Sequence, residues 1–166
     1  ATFFCIGENA RANPDLCREI AHRGHAVENH SCRHLISFPL LGMRSQREEI
    51  LAAQRILAEL SGREPRCFRP PAGLRNPLLD PVLHALGLRH VTWTRRGFDT
   101  RTRDPLLVLS RLTKGLAAGD ILLLHDGHAA RTIQGGPVIA ETLPRLLEAI
   151  LARDLRPVTV AEALGG

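Results

Sequence analysis

The sequence has no apolar run near the ~18 residues that a membrane-spanning helix needs, so no transmembrane segment is expected. Its 4 cysteines, Cys5, Cys17, Cys32 and Cys67, form no C-x-x-C pair, which argues against a zinc knuckle or a thioredoxin-type redox site. A chain of this length needs no disulfide framework. Cys5 and Cys67 fall in apolar strand-like runs, where a thiol behaves as a small hydrophobe. There is no linker, internal repeat or low-complexity stretch. Lysine is almost missing: Lys114 is the only one among 22 basic residues. The arginines are scattered and often stand beside Glu or Asp. The net charge of +5 therefore reads as solvated surface and not as a nucleic-acid footprint. Neither an initiator methionine nor a signal peptide is present. Ala1-Thr2-Phe3-Phe4 reads as a buried strand already under way, so the expectation is an N-terminally truncated chain. Any leader would lie upstream, and the compartment is not indicated.

The remaining composition is that of one globular domain spanning residues 1–166, with 44% hydrophobic and 23% charged residues. Strand-like runs alternate with helical ones. Strands are expected at residues 2–6, 26–29, 67–69, 91–94, 121–125 and 158–160, all mutually parallel. Asn13-Pro14 opens a helix that closes at Arg23-Gly24. The strongest helix, from about Ser45 to Leu60, stops before Gly62. Asn76-Pro77 and Asp104-Pro105 open two more, and residues 137–151 form a long amphipathic helix. Six strands joined by helices through short connections imply right-handed βαβ units and an α/β fold with a parallel sheet or barrel.

In such folds functional residues gather at the carboxyl ends of the strands. After the second strand comes His30-Ser31-Cys32-Arg33-His34. Two histidines four residues apart would share one face of a helical turn, close enough to bind one divalent metal. Cys32, two residues on from His30, would point away from that face. After the third strand comes Arg69-Pro70-Pro71-Ala72-Gly73, after the fourth Trp93 with Asp99, and after the fifth Leu123-Leu124-His125-Asp126-Gly127. Taken singly, each reads as well as ordinary structure: surface or capping histidines, a strand-end salt bridge, a core leucine, a turn. Polar groups at four successive strand ends together suggest a metal hydrolase.

These segments together resemble the polysaccharide deacetylase family, carbohydrate esterase family 4. Ala1-Thr2-Phe3-Phe4 with Ile6-Gly7 looks like its second strand. Asn29-His30-Ser31 with His34 is similar to its H-[ST]-x-x-H metal motif, and Arg69-Pro70-Pro71-Ala72-Gly73 to its R-x-P-x-G motif. Residues 93–99 resemble its fourth motif, and Leu123 with His125 its L-x-H motif. The resemblance covers essentially the whole chain. It implies a distorted (β/α) barrel with about six of seven strands present and the first one missing. It also implies a hydrolase that removes N-acetyl groups from amino sugars of a glycan such as a chitooligosaccharide or peptidoglycan.

The family pattern gives each residue an expected part. His30 and His34 would hold a divalent metal, most often zinc, with cobalt, manganese and nickel as alternatives. Arg69 would orient an aspartate base, the Ala72 N–H would help hold the oxyanion, and His125 would protonate the leaving amine. Asp99 would support Arg69 or His125. Leu123 and Trp93 would line the sugar site. The sequence also departs from the pattern. The Thr-Phe-Asp-Asp-Gly-Pro motif, source of the base and the third ligand, is absent. Ala72 stands where Tyr or Phe is usual, and Arg96 where an aspartate is common. Two further readings stay open: a non-catalytic remnant that binds metal or glycan, and a hydrolase of another small carbon–nitrogen amide on the same fold. The sequence indicates no oligomeric state.

Overall fold

The computed structural model describes residues 1–165. The chain divides into two compact units, Ala1–Thr92 with the residues from Val158 onward, and Trp93–Pro157.

The first unit opens with strand β1 (Thr2–Cys5), followed by helices α1 (Gly7–Ala12) and α2 (Pro14–His22) and strand β2 (Ala26–Asn29). Helix α3 (Met43–Ser61), β3 (Cys67–Phe68), α4 (Leu79–Ala85) and β4 (Arg89–His90) follow. The four strands form one parallel sheet in the order β1-β2-β3-β4. Each successive pair is joined by helix, which is the βαβ alternation expected from the sequence.

Local chemistry sets the helix limits. Pro14 takes the first position of α2, where its missing N–H costs nothing. Gly62 ends α3 in the left-handed conformation, at φ 71°. The buried face of α3 serves two apolar clusters. Ile50 packs with Phe38, Phe68, Leu79 and Leu83, while Ala53 and Leu57 pack with Ala10, Cys17, Val27 and Cys32. Cys17, Cys32 and Cys67 are buried, and burial pushes their thiols up, that of Cys67 to about 11. They act as small hydrophobes.

The second unit contains β5 (Arg95–Arg96), α5 (Pro105–Thr113), β6 (Leu122–Leu123) and α6 (Val138–Leu151). β5 and β6 pair in parallel. Asp104 caps α5, its carboxylate accepting from the backbone N–H of Leu106 and Leu107. Val108 and Leu112 of α5 form the core with Val138, Leu146 and Ile150 of α6.

Six strands are present among the described residues, but they are not the six expected. The strand expected at residues 91–94 is interrupted. Val91 N–H still donates to Phe68 O, whereas Thr94 N–H donates to Ile121 O. The carbonyls of Val91 and Thr92 accept from the Arg69 guanidinium. A side chain thus takes acceptors that a continued ladder would have used. The strand expected at residues 158–160 does not form. Thr159 caps a short helix, α7 (Val160–Ala163), in a reciprocal box with Glu162. The alternation of Val158-Thr159-Val160 is real, but the T-x-x-E spacing prevails. Among the described residues no helix is long and apolar enough to cross a membrane.

Candidate active site

The loop after β2 carries His30 and His34. It is not the helical turn expected from their spacing. Ser31 and His34 both adopt left-handed backbone, at φ 64° and 52°, which breaks any helix. The two imidazoles nevertheless meet edge to face, with ring centroids 4.7 Å apart. The loop is held in this unusual path from several sides. Buried Asn29 donates to Ile50 O and Gln54 Oε1 on α3 and accepts from Ser31 N–H. The Ser31 hydroxyl accepts from His34 N–H. Glu49, buried on α3, takes both the backbone N–H and the guanidinium of Arg33. From the other side Gly7 N–H and Glu8 N–H donate to Ser31 O and Cys32 O. Gly7 allows a close approach, because a Cβ there would lie 3.0 Å from the Ala53 backbone and would press on it. Glu49 and Gln54 were not among the residues singled out from sequence, and Asn29 was read only as the residue preceding the histidine motif. The only signal for Glu49 is a carboxylate on the apolar side of an amphipathic helix.

Arg69, at the end of β3, is joined to this loop. His30 Nδ1 lies 2.6 Å from Arg69 O. A carbonyl only accepts, so Nδ1 carries the proton and the lone pair of the neutral ring lies on Nε2. The Arg69 guanidinium donates to Val91 O and Thr92 O and stacks over the Phe4 ring, 4.1 Å from its centroid. Burial lowers its pKa to about 10. Ala72 follows in a tight turn at φ 53°, a left-handed conformation that a Cβ disfavours.

In the second unit Asp99 and His125 form a tight pair. The Asp99 carboxylate, 1% exposed, accepts from His125 N–H at 2.6 Å and from His125 Nδ1 at 3.0 Å. Both carboxylate oxygens are used on one residue, so the ring is fixed and Nε2 is left to act. Leu123 is buried in β6, and Trp93 is half-buried. The structure thus brings together His30, His34 and Arg69, and separately Asp99 with His125.

The test for a metal is the donor set. His30 and His34 fit as two imidazole ligands, with the tautomer of His30 already set by Arg69 O. Among the described residues no third His, Cys, Asp or Glu joins them. A cavity of about 1130 Å³ lined by His25, Glu28, Gln54, Arg66 and Thr159 opens at the amino ends of β2–β4. It lies at the wrong end of the strands for the chemistry of such a sheet.

Comparison with known proteins identifies the fold. The polysaccharide deacetylase family model matches residues 1–91. This chain belongs to the polysaccharide deacetylase family. The match lies within the Ala1–Thr92 segment of the first compact unit, so it contains His30, His34, Arg69 and Ala72 but not Asp99 or His125. A peptidoglycan-N-acetylglucosamine deacetylase from Bacillus cereus is 31% identical over 99% of this chain and 75% of its own length. A family 4 carbohydrate esterase from Streptomyces lividans, solved with acetate, is 29% identical with a TM-score of 0.85, covering 96% of this chain and 78% of its own. A carbohydrate esterase family 4 pseudoenzyme from Bacillus anthracis shares the fold at 20% identity and TM-score 0.87, over 98% of this chain and 54% of its own. The α/β fold of this family, expected from the motifs, is therefore the observed one, with the described strands in a four-stranded and a two-stranded sheet.

Proposed function

We propose that this chain carries the machinery of a metal-dependent deacetylase acting on N-acetylated amino sugars of a glycan. The observation that supports this best is the His30–His34 pair, with the His30 Nδ1 proton committed to Arg69 O. Those two imidazoles would hold a divalent ion, most often zinc in this family. Such an ion, when bound, lowers the pKa of a water and polarises an amide carbonyl. Arg69, its carbonyl on His30 and its charge on Phe4, keeps the loop and the strand end in register. The Ala72 N–H, in its left-handed turn, would donate to the oxyanion as the amide carbon becomes tetrahedral, a contact worth ~3–4 kcal/mol in other hydrolases. His125, once its ring is doubly protonated, would pass the Nε2 proton to the leaving amine, with Asp99 holding the ring through Nδ1. Leu123 and Trp93 would line the acetyl and sugar sides.

This chain by itself is expected to be inactive or nearly so, because two imidazoles bind a metal weakly and no third ligand joins them among the described residues. The test is acetate release from acetylated chitooligosaccharides and peptidoglycan fragments. It compares this chain with one extended by a strand bearing an Asp-Asp pair. The extended chain should release acetate, a chelator should abolish it, and His125→Ala should cut turnover by ~10²–10⁴-fold. Acetate release that survives both the chelator and His34→Ala would overturn the reading.

A further inference from the structure

The segment between β5 and Asp99 is built in a way that the deacetylase chemistry does not use. Gly97 is seated against α5 so closely that a Cβ would meet Val108 Cγ1 at 2.6 Å. Arg111 of α5 donates to Gly97 O at 3.3 Å and to Thr102 Oγ1 at 2.7 Å. The next residue, Phe98, is forced into left-handed backbone at φ 58°, a rare conformation for a bulky side chain, and the residue is 43% exposed. Strain of this kind persists only where the surroundings impose it, and it clusters at ligand clamps. Two guanidiniums flank the ring, Arg96 with its Cζ 4.3 Å from the centroid and Arg111 at 5.4 Å. Arg96 also stacks 5.5 Å from Trp93, the only tryptophan. Its Nε is buried and meets no hydrogen-bond partner among the described residues. Neither Arg96 nor Arg111 takes part in any ion pair found among the described residues. Arg95, next along β5, does pair with Asp120.

A part-exposed aromatic ring offers apolar surface to a sugar, and the guanidiniums that lie over it, with no carboxylate of their own, invite an anion. We propose that Phe98, with Arg96 and Arg111, forms a subsite for an acidic sugar, a pyranose carrying a carboxylate or phosphate. The subsite adjoins Asp99, which holds His125. It deepens the glycan reading above and rests on it. Arg96, its buried Nε without a hydrogen-bond partner among the described residues, sets the preference for charge.

The lone tryptophan makes the test direct. With no tyrosine in the chain, emission excited at the red edge reports Trp93 alone. Titrations would compare glucuronic acid with glucose, N-acetylmuramic acid with N-acetylglucosamine, and glucose 6-phosphate with glucose. A saturable change with the acid and not with its neutral counterpart is expected, weakened by added salt. Arg96→Gln should weaken it at least tenfold, and Arg111→Gln should weaken it as well. The acid that binds names the source of the anion. Phe98→Leu, checked by circular dichroism for an intact fold, should lose the response with both guanidiniums still present. No saturable change with any acid, an equal change with the neutral sugars, or an unchanged affinity in Arg96→Gln would overturn the subsite. This assay does not read acetate release, so its failure would leave the deacetylase reading standing, and the reverse holds too.

Discussion

Replacing Asp99 with Asn should move a proton on His125. In the wild-type chain the buried carboxylate accepts twice from one residue, from the His125 backbone N–H at 2.6 Å and from Nδ1 at 3.0 Å. Both partners must then be donors, so the neutral ring carries its hydrogen on Nδ1. An asparagine has the same shape but one acceptor and one amine. If its oxygen keeps the backbone N–H, its NH₂ faces Nδ1, and two donors meet. The ring resolves the conflict by shifting its hydrogen to Nε2 and accepting at Nδ1. Two charge-assisted bonds, each worth ~1.5–3 kcal/mol, become two neutral ones of ~0.5–1.5 kcal/mol. The cost is about 2 kcal/mol, or a fall in Tm of about 4–8 °C for a chain of this size. Long-range proton–nitrogen correlation spectra of the histidine ring would show the tautomer directly, and calorimetry the stability. An Nδ1–H ring in Asp99→Asn, or an unchanged Tm, would refute the assignment. Asp99→Ala should cost more, because the part-buried His125 N–H then loses its acceptor.

Two further predictions concern the same unit. Arg95, the Ala117 N–H and the Thr94 hydroxyl hold the Asp120 carboxyl at about 2, below its ordinary 3.8. Its contribution to stability is therefore complete above pH about 4 and is lost as pH falls through about 2. Urea unfolding between those limits should show a slope that Asp120→Asn flattens, and an equal slope in the variant would refute the pairing. Gly97→Ala should destabilise by about 1–3 kcal/mol, because its Cβ would overlap Val108 Cγ1 at 2.6 Å and a valine has little room to turn. An unchanged urea midpoint would show that the α5 contact is looser than described.

Much of the architecture was legible in the chain. Proline and glycine punctuation located α2, α3 and α5, because those residues act through their own backbone and need no neighbours. The strand-end positions of His30, Arg69, Asp99 and His125 were legible for a similar reason, since alternation of short apolar and amphipathic runs places the loops between them. Three things were decided only by the tertiary structure. His30 and His34 meet through left-handed Ser31 and His34, not through a helical turn. That path is stable only because Asn29, Glu49 and the first turn of α1 take up the polar groups of the loop. The strand expected at residues 91–94 is broken where the Arg69 side chain takes the carbonyls of Val91 and Thr92. The pairing of Asp99 with His125 joins residues far apart in sequence through one buried carboxylate. Local periodicity speaks for the residues nearest in the chain, whereas hydrogen bonds between distant segments belong to whichever donors and acceptors the fold brings within 3 Å.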